Sequence, residues 1–349
     1  MPAQPRRLVR FGSALALCLA LGGCEPGSDG PEDHFDGEIG ERGYTVWGGT
    51  YTGGYTFRMN TNHAGPHFFS ELHLGGAEHE GTRLVEIAYD EPCGYGTCTT
   101  PVITDSVRVV GGALEAELED GRTIHHTDFG LTRWTIDVGG AVWGTYTLTL
   151  EAGWDAASGQ PTYLFFWDDG SGEGAESTCT IPGQASEMSA VVYPGIDIDE
   201  SSGAMHEDPE LLTIACTAGA VGKAGLWGYR PDDLVANYGP DGVALFEASV
   251  RMVRADYCGD GQSWTSPGTP VVVEDNLGTN APLPSVWLPG QSIPQDEAVW
   301  DRSGAVCLAA TRVPSTIVSC QNGAIVWPCL FGTGAAFADP AALFRTRIP

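Results

Sequence analysis

Arg254-Ala255-Asp256-Tyr257-Cys258-Gly259-Asp260-Gly261 closes one element and opens another. Upstream of it, Val243, Leu245, Phe246, Val250 and Val253 recur at helical spacing, so residues 242–257 read as an amphipathic helix that Gly259 ends. The glycines then turn the chain and set Cys258 between two carboxylates. A reactive thiolate needs a nearby cation, a histidine or a helix N-terminus. Cys258 instead follows a helix C-terminus and has acids on both sides, which favours a half-cystine over a nucleophile.

Outward from this stretch the chain divides by texture. Residues 44–195 alternate β-branched and aromatic residues with glycine turns. Thr132-Arg133-Trp134-Thr135-Ile136-Asp137 and Thr145-Tyr146-Thr147-Leu148-Thr149-Leu150 read as half-buried strands, and several such segments predict an antiparallel barrel or sandwich. From residue 196 to 349 the pattern mixes helix and short strands, with a helix expected within 211–227, stopped by Gly228 and Pro231. The expected class is α+β: an N-terminal antiparallel β domain followed by a disulfide-rich mixed α/β domain.

The N-terminus carries a leader. Arg6, Arg7 and Arg10 precede the apolar stretch 14–21, which is too short to span a bilayer. It ends in Leu21-Gly22-Gly23-Cys24, which resembles a bacterial lipobox with Cys24 as the lipidated residue. Residues 1–23 then form a lipoprotein signal peptide. Residues 24–43, rich in acids, glycine and proline, form a flexible tether. Two acyl signals at Cys24 give stable anchoring, so the expected site is the cell envelope, periplasmic or surface-exposed, with membrane lipid as a partner.

The formal charge is −28, and it becomes −31 once the three leader arginines are removed, because residues 1–23 hold no Asp or Glu. Such a surface repels polyanions, which excludes nucleic acid as an expected partner. Cys18 lies in the leader and Cys24 takes lipid. The remaining eight cysteines, Cys93, Cys98, Cys179, Cys216, Cys258, Cys307, Cys320 and Cys329, read as four cystines of an exported protein. Local spacing suggests Cys93–Cys98 and Cys320–Cys329, leaving Cys179–Cys216 and Cys258–Cys307 to complete the set.

Separated blocks around the opening stretch carry a family resemblance. They are Arg251-Met252-Val253-Arg254-Ala255-Asp256-Tyr257-Cys258-Gly259-Asp260-Gly261, Ala215-Cys216-Thr217, Lys223 with Gly228-Tyr229-Arg230-Pro231, Glu297-Ala298-Val299-Trp300 and Gly304-Ala305-Val306-Cys307. Together they resemble the ADYC domain, a family of uncharacterised exported proteins, over about residues 200–330. At Ala224 and Ser249 this chain departs from the cysteines usual in the family, which the resemblance implies form a bond between two helices there. The resemblance supplies a fold unit and a compartment and no reaction.

Three functional readings follow. The first is a lipid-anchored envelope protein with a binding or structural role, taking no cofactor and meeting an unidentified envelope or extracellular ligand; such a module should show an exposed aromatic patch. The second is a secreted hydrolase with carboxylates Asp256 and Asp260 and with His206 or Glu207 in a cleft. The third is a metal-binding lipoprotein: His63, His67, His73 and His79 cluster in a loop, with Glu71, Glu78 and Glu80 among them, and imidazole with carboxylate suits zinc or copper.

Overall fold

In the computed structural model, the described residues are 62–64, 67–139, 144–179, 188–199, 203–265, 271–279, 294–314, 317–321 and 323–348. The leader, Cys24 and the tether lie outside them. All described residues belong to one compact unit.

A ten-stranded antiparallel sheet dominates. Its strands are β1 (Glu71–His73), β2 (Glu78–His79), β3 (Thr82–Cys93), β4 (Gly96–Pro101), β5 (Thr132–Val138), β6 (Gly144–Trp154), β7 (Pro161–Asp168), β8 (Glu176–Ser177), β9 (Ala190–Ile198) and β10 (Met205–Cys216). The spatial order is β1-β10-β9-β7-β6-β5-β3-β2, with β4 beside β3 and β8 beside β7. The two ends of this path, β1 and β2, are consecutive in the chain and pack on one another, so the sheet curls towards closure. The 63–79 segment, expected as a loop, therefore holds short strands, among them the two edges of the sheet.

Alternation accounts for the inner face. Trp134, Ile136, Leu148, Leu150, Tyr163, Phe165, Val192 and Leu212 fill one continuous core with Leu72 and Leu84. A three-stranded ribbon of Arg108–Val110, Ala113–Glu117 and Thr123–His125 adds Leu114, Ala116 and Ile124 to the same core.

β9 at Ala190–Tyr193 and β10 at Leu211–Cys216 are buried on both faces. Val192 and Leu212 point to the first core, whereas Val191, Tyr193 and Ala215 point to a second. That explains their unbroken apolar runs, which a one-sided strand would interrupt with polar residues. The expected division after residue 195 falls inside β9, where the ladder shifts register between Pro194 and Ile196. Asp208, Pro209 and Glu210 lie within β10.

The second core is roofed by α1 (Ala220–Leu226), α2 (Pro231–Tyr238) and α3 (Gly242–Arg254). Pro231 opens α2 at its first turn, where a missing N–H is harmless, with Asp232 and Asp233 favouring the positive end of the dipole. α1 lies so close to β9 that a Cβ on Gly225 would stand 1.9 Å from the Tyr193 hydroxyl. A second, four-stranded antiparallel sheet packs beneath α3 in the order β11 (Val272–Asp275), β14 (Phe344–Ile348), β12 (Gln295–Asp301), β13 (Gly304–Leu308). It contributes Ala298, Trp300 and Phe344 to the second core. The whole is α+β, largely antiparallel, with four cystines.

The cystines are Cys93–Cys98, Cys179–Cys216, Cys258–Cys320 and Cys307–Cys329. The first two match the sequence expectation. The expected Cys320–Cys329 and Cys258–Cys307 bonds are replaced by the crossed pairs, because Leu308 ties the strand after Cys307 to Trp327 and Cys329 through backbone hydrogen bonds. That docking brings Cys329 to Cys307 and leaves Cys320 for the turn at Cys258.

Candidate functional site

The Asp256–Gly261 turn is built by side chains answering backbone groups. Helix α3 ends earlier than expected, at Ala255, which adopts the left-handed conformation (φ 54°). The N–H groups of Ala255 and Asp256 return to the carbonyls of Met252 and Arg251, which closes the last turn. Asp256 is buried, and its two oxygens accept the N–H groups of Asp260 (3.2 Å) and Gly261 (3.0 Å). Asp260 accepts the N–H of Gln262 (3.1 Å) and that of Gln321 (2.8 Å), beside the Cys258–Cys320 bridge. A Cβ on Gly259 would stand 1.7 Å from the Ser303 carbonyl oxygen, and its φ of +66° also favours glycine. Both carboxylates expected as hydrolase candidates are thus bonded into the turn. His206 lies exposed on β10, opposite Asp197 of β9.

Tyr257 leads to a fully buried ion pair, Glu297 and Arg312. Its ring stacks on Trp300 with centroids 5.3 Å apart, and its hydroxyl donates to Glu297 Oε1 (2.9 Å) while accepting the backbone N–H of Arg312 (2.8 Å). Arg312 donates from Nε to Glu297 Oε1 (3.0 Å) and from Nη2 to Glu297 Oε2 (3.2 Å). Its remaining donors reach the carbonyls of Val253 (2.6 Å) and Met252 (3.0 Å), in the last turn of α3. The pair is sealed from solvent, with side-chain exposures of 1% and 0%. Burial, then the Glu297 charge, pushes the Tyr257 hydroxyl well above its ordinary range, so it stays a donor. Sequence reading passed over Arg312, because a lone arginine after a strand looks like a solvated charge.

The other matched blocks surround the same centre. The buried Tyr229 donates to Asp275 (2.7 Å) and packs edge-on against Phe344. Arg230 lies over the Tyr193 ring, 5.3 Å from its centroid, and meets Asp232 at 3.1 Å. Lys223 is held below its ordinary pKa by burial and then by Arg312. Ala224 and Ser249, where the family usually has cysteines, are buried on the touching helices α1 and α3.

Asp256 makes a pH prediction. Burial, opposed by Arg254 and Arg251, raises its carboxyl from 3.8 to about 6. The folded state therefore holds this proton more tightly than the unfolded one. The resulting stability is full below about pH 4 and is lost as pH rises through about 6, by roughly 3 kcal/mol at about 1.4 kcal/mol per unit. Urea unfolding from pH 4 to 7 should show the difference between wild type and Asp256→Asn shrinking by that order. A difference flat across this window would remove the assignment.

The histidines disperse. The His63 and Phe68 ring centroids lie 5.9 Å apart, and His67 lies opposite Ala64 in a two-stranded ribbon of His63–Ala64 and His67–Phe68. His73 Nε2 lies 3.1 Å from Glu210, and its Nδ1 accepts the Gly75 N–H. His79 alone joins a metal-like group, with Glu71 and Glu80, whose ligand atoms all lie within 4.8 Å of one another. His79 Nε2 is 3.9 Å from Glu71 and 3.5 Å from Asp197. Sequence reading had noted both glutamates. Nothing in the sequence pointed to Asp197, which the closing of the sheet brings in.

Tyr95 and Trp154 are exposed on the sheet, and a denser run of exposed large apolar side chains lies near the C-terminus. Ile317, Ile325, Trp327, Leu330 and Phe331 are each more than two-thirds exposed. They lie on the segment 317–331, which Cys320 and Cys329 tie to Cys258 and Cys307. Among the tryptophans of the sheet, Trp134 is fully buried and Trp154 is exposed, packed against His126.

No helix of the described residues is long and apolar enough to cross a membrane, and four cystines suit an oxidising, extracytoplasmic compartment. The family model described as the ADYC domain matches residues 126–314, more than half of the chain. The match begins well before the residues that carry the resemblance and takes in β5 to β10. No curated protein and no solved structure matches the chain.

Proposed function

The chain belongs to the ADYC domain family, and from that premise we propose an exported, lipid-anchored envelope protein whose C-terminal part is a rigid binding module. The observation that carries this reading is the apolar segment 317–331, held out in solvent by two cystines. Monomeric proteins rarely expose adjoining large apolar side chains unless something covers them. Trp327 and Phe331 are the residue types that anchor protein interfaces, and cross-linking reduces the ordering lost on binding. The strong negative charge disfavours an anionic lipid surface, so the occupant is an apolar patch on an envelope protein. The lipobox-like Leu21-Gly22-Gly23-Cys24 supports the anchor, and the acidic stretch after it supports a spacer.

Two measurements in the native host test the two halves. Cys24→Ala should move the chain from the membrane fraction to the soluble fraction; a variant that still sediments with membranes rejects the anchor. A photo-crosslinking residue at position 331 should give one adduct of defined mass in intact cells, lost in Trp327→Ser/Leu330→Ser. No adduct, or one indifferent to these substitutions, rejects the binding surface.

A further inference from the structure

We propose that Lys223 is a nucleophilic amine that captures an apolar aldehyde as an imine. Of the 17 lysines and arginines in the chain, it is the one lysine. A guanidinium never loses its proton in a protein, whereas an ammonium does and then bears a lone pair. Lys223 therefore supplies the one side-chain amine, and it lies within the residues that the family model matches. Its support, α1, is held firmly. The Lys223 N–H returns to the Gly219 carbonyl (3.0 Å), and its own carbonyl accepts the Trp227 N–H (3.0 Å). The neighbouring Gly222 is pressed so close to β10 that a Cβ there would stand 2.3 Å from the Cys216 carbonyl oxygen.

Three observations favour a reactive amine over a surface charge. Lys223 Nζ makes no ion pair or hydrogen bond among the described residues, although the chain holds 45 acids that could meet it. Its setting is half-buried and apolar: Leu226 and Trp227, three and four positions on, share its helix face, and both pack partly buried against the second core. The charge that acts on it is positive, that of Arg312, which Glu297 and the last turn of α3 hold in place. Burial and that charge hold Lys223 below its ordinary pKa, so more of it is neutral at neutral pH. The neutral nitrogen adds to the aldehyde carbon, forming a C–N bond while the carbonyl oxygen takes up a proton. The carbinolamine then breaks its C–O bond, and the oxygen leaves as water with the two hydrogens of the amine. No oxidant or reductant is consumed. Leu226 and Trp227 favour an alkyl chain over a hydroxylated one, which sets the class of aldehyde. The inference stands apart from the anchor and from the 317–331 surface.

The test uses the full chain with hexanal, sodium cyanoborohydride to fix the imine as a secondary amine, and peptide mass mapping to locate the adduct. At neutral pH, Lys223 of the native protein should be labelled about 10-fold faster than Lys223 of the same chain unfolded in guanidinium chloride with its cystines intact. The native rate should also level off at a lower pH than the unfolded one. Glycolaldehyde, which is small and hydroxylated, should lose most of the native advantage. Lys223→Arg keeps the charge, and it should abolish the fast adduct while leaving the unfolding midpoint where it is in wild type. If that variant does not fold, the native-to-unfolded ratio in wild type carries the test by itself. Native labelling no faster than unfolded labelling overturns the inference, as does a fast adduct that persists in Lys223→Arg. An equal native advantage for glycolaldehyde overturns the apolar class.

Discussion

Glu297→Gln is expected to lower the unfolding free energy by about 3–5 kcal/mol, the range seen when one partner of a buried ion pair is removed. The amide leaves the Arg312 guanidinium sealed in the interior without its counter-charge. It also replaces one of two acceptor oxygens with a donor, so either the Tyr257 hydroxyl or an arginine N–H loses its acceptor. The loss then reaches the C-terminus of α3, because the same guanidinium holds the carbonyls of Met252 and Val253. Removing both charges at once, as Glu297→Met/Arg312→Met, should be milder than Glu297→Gln alone, since no charge is left stranded. Urea unfolding with cystines intact reads both. A Glu297→Gln variant within about 1 kcal/mol of wild type would mean that solvent reaches the pair.

Removing the Cys258–Cys320 bridge as Cys258→Ala/Cys320→Ala should cost about 4 kcal/mol, and removing Cys93–Cys98 only about 2 kcal/mol. The difference comes from the unfolded chain. The first bond spans 62 residues and the second only 5, and the freedom a cross-link removes grows with the loop it closes. The longer bridge also seats Gln321 against Asp260, so its loss frees the segment that carries Trp327 and Phe331. Thermal unfolding of the two double variants, each compared with wild type, gives the order. A larger loss from the Cys93/Cys98 variant would place the stabilisation in local hairpin geometry and not in chain entropy.

Much of the architecture was legible in the sequence wherever one face of an element meets water. β5 and β6 alternate, and α3 shows its apolar stripe, so both could be read directly. β9 was read as a strand from residues 189–193, but β10 was harder, because burial of Leu211–Cys216 on both faces erases alternation and leaves a run that fits helix or strand. The same double burial explains why the change of texture near residue 196 coincides with a strand and not a linker. Gly259 looked like the end of α3, yet its role is to let the turn pass against Ser303, and Ala255 ends the helix. Cystine pairing failed where nearness in sequence was taken for nearness in space; Cys320 and Cys329 share a segment but bond to different elements. Of the residues at the sheet edges, the His79-Glu80 pair and Glu71 were visible as residue types. Their meeting depended on which strands close the sheet, and no local pattern encodes that.

The strand order also imposes a timetable on synthesis. β1 pairs with β10, as in Leu212 opposite Leu72, although nearly the whole sheet lies between them in the chain. At ribosomal rates the first strand emerges on the order of 10 s before its partner exists. Throughout that interval its edge is an open template for any passing strand. Until residue 216 has appeared, the β1 edge of a nascent chain of this topology is a surface for a holding chaperone to cover.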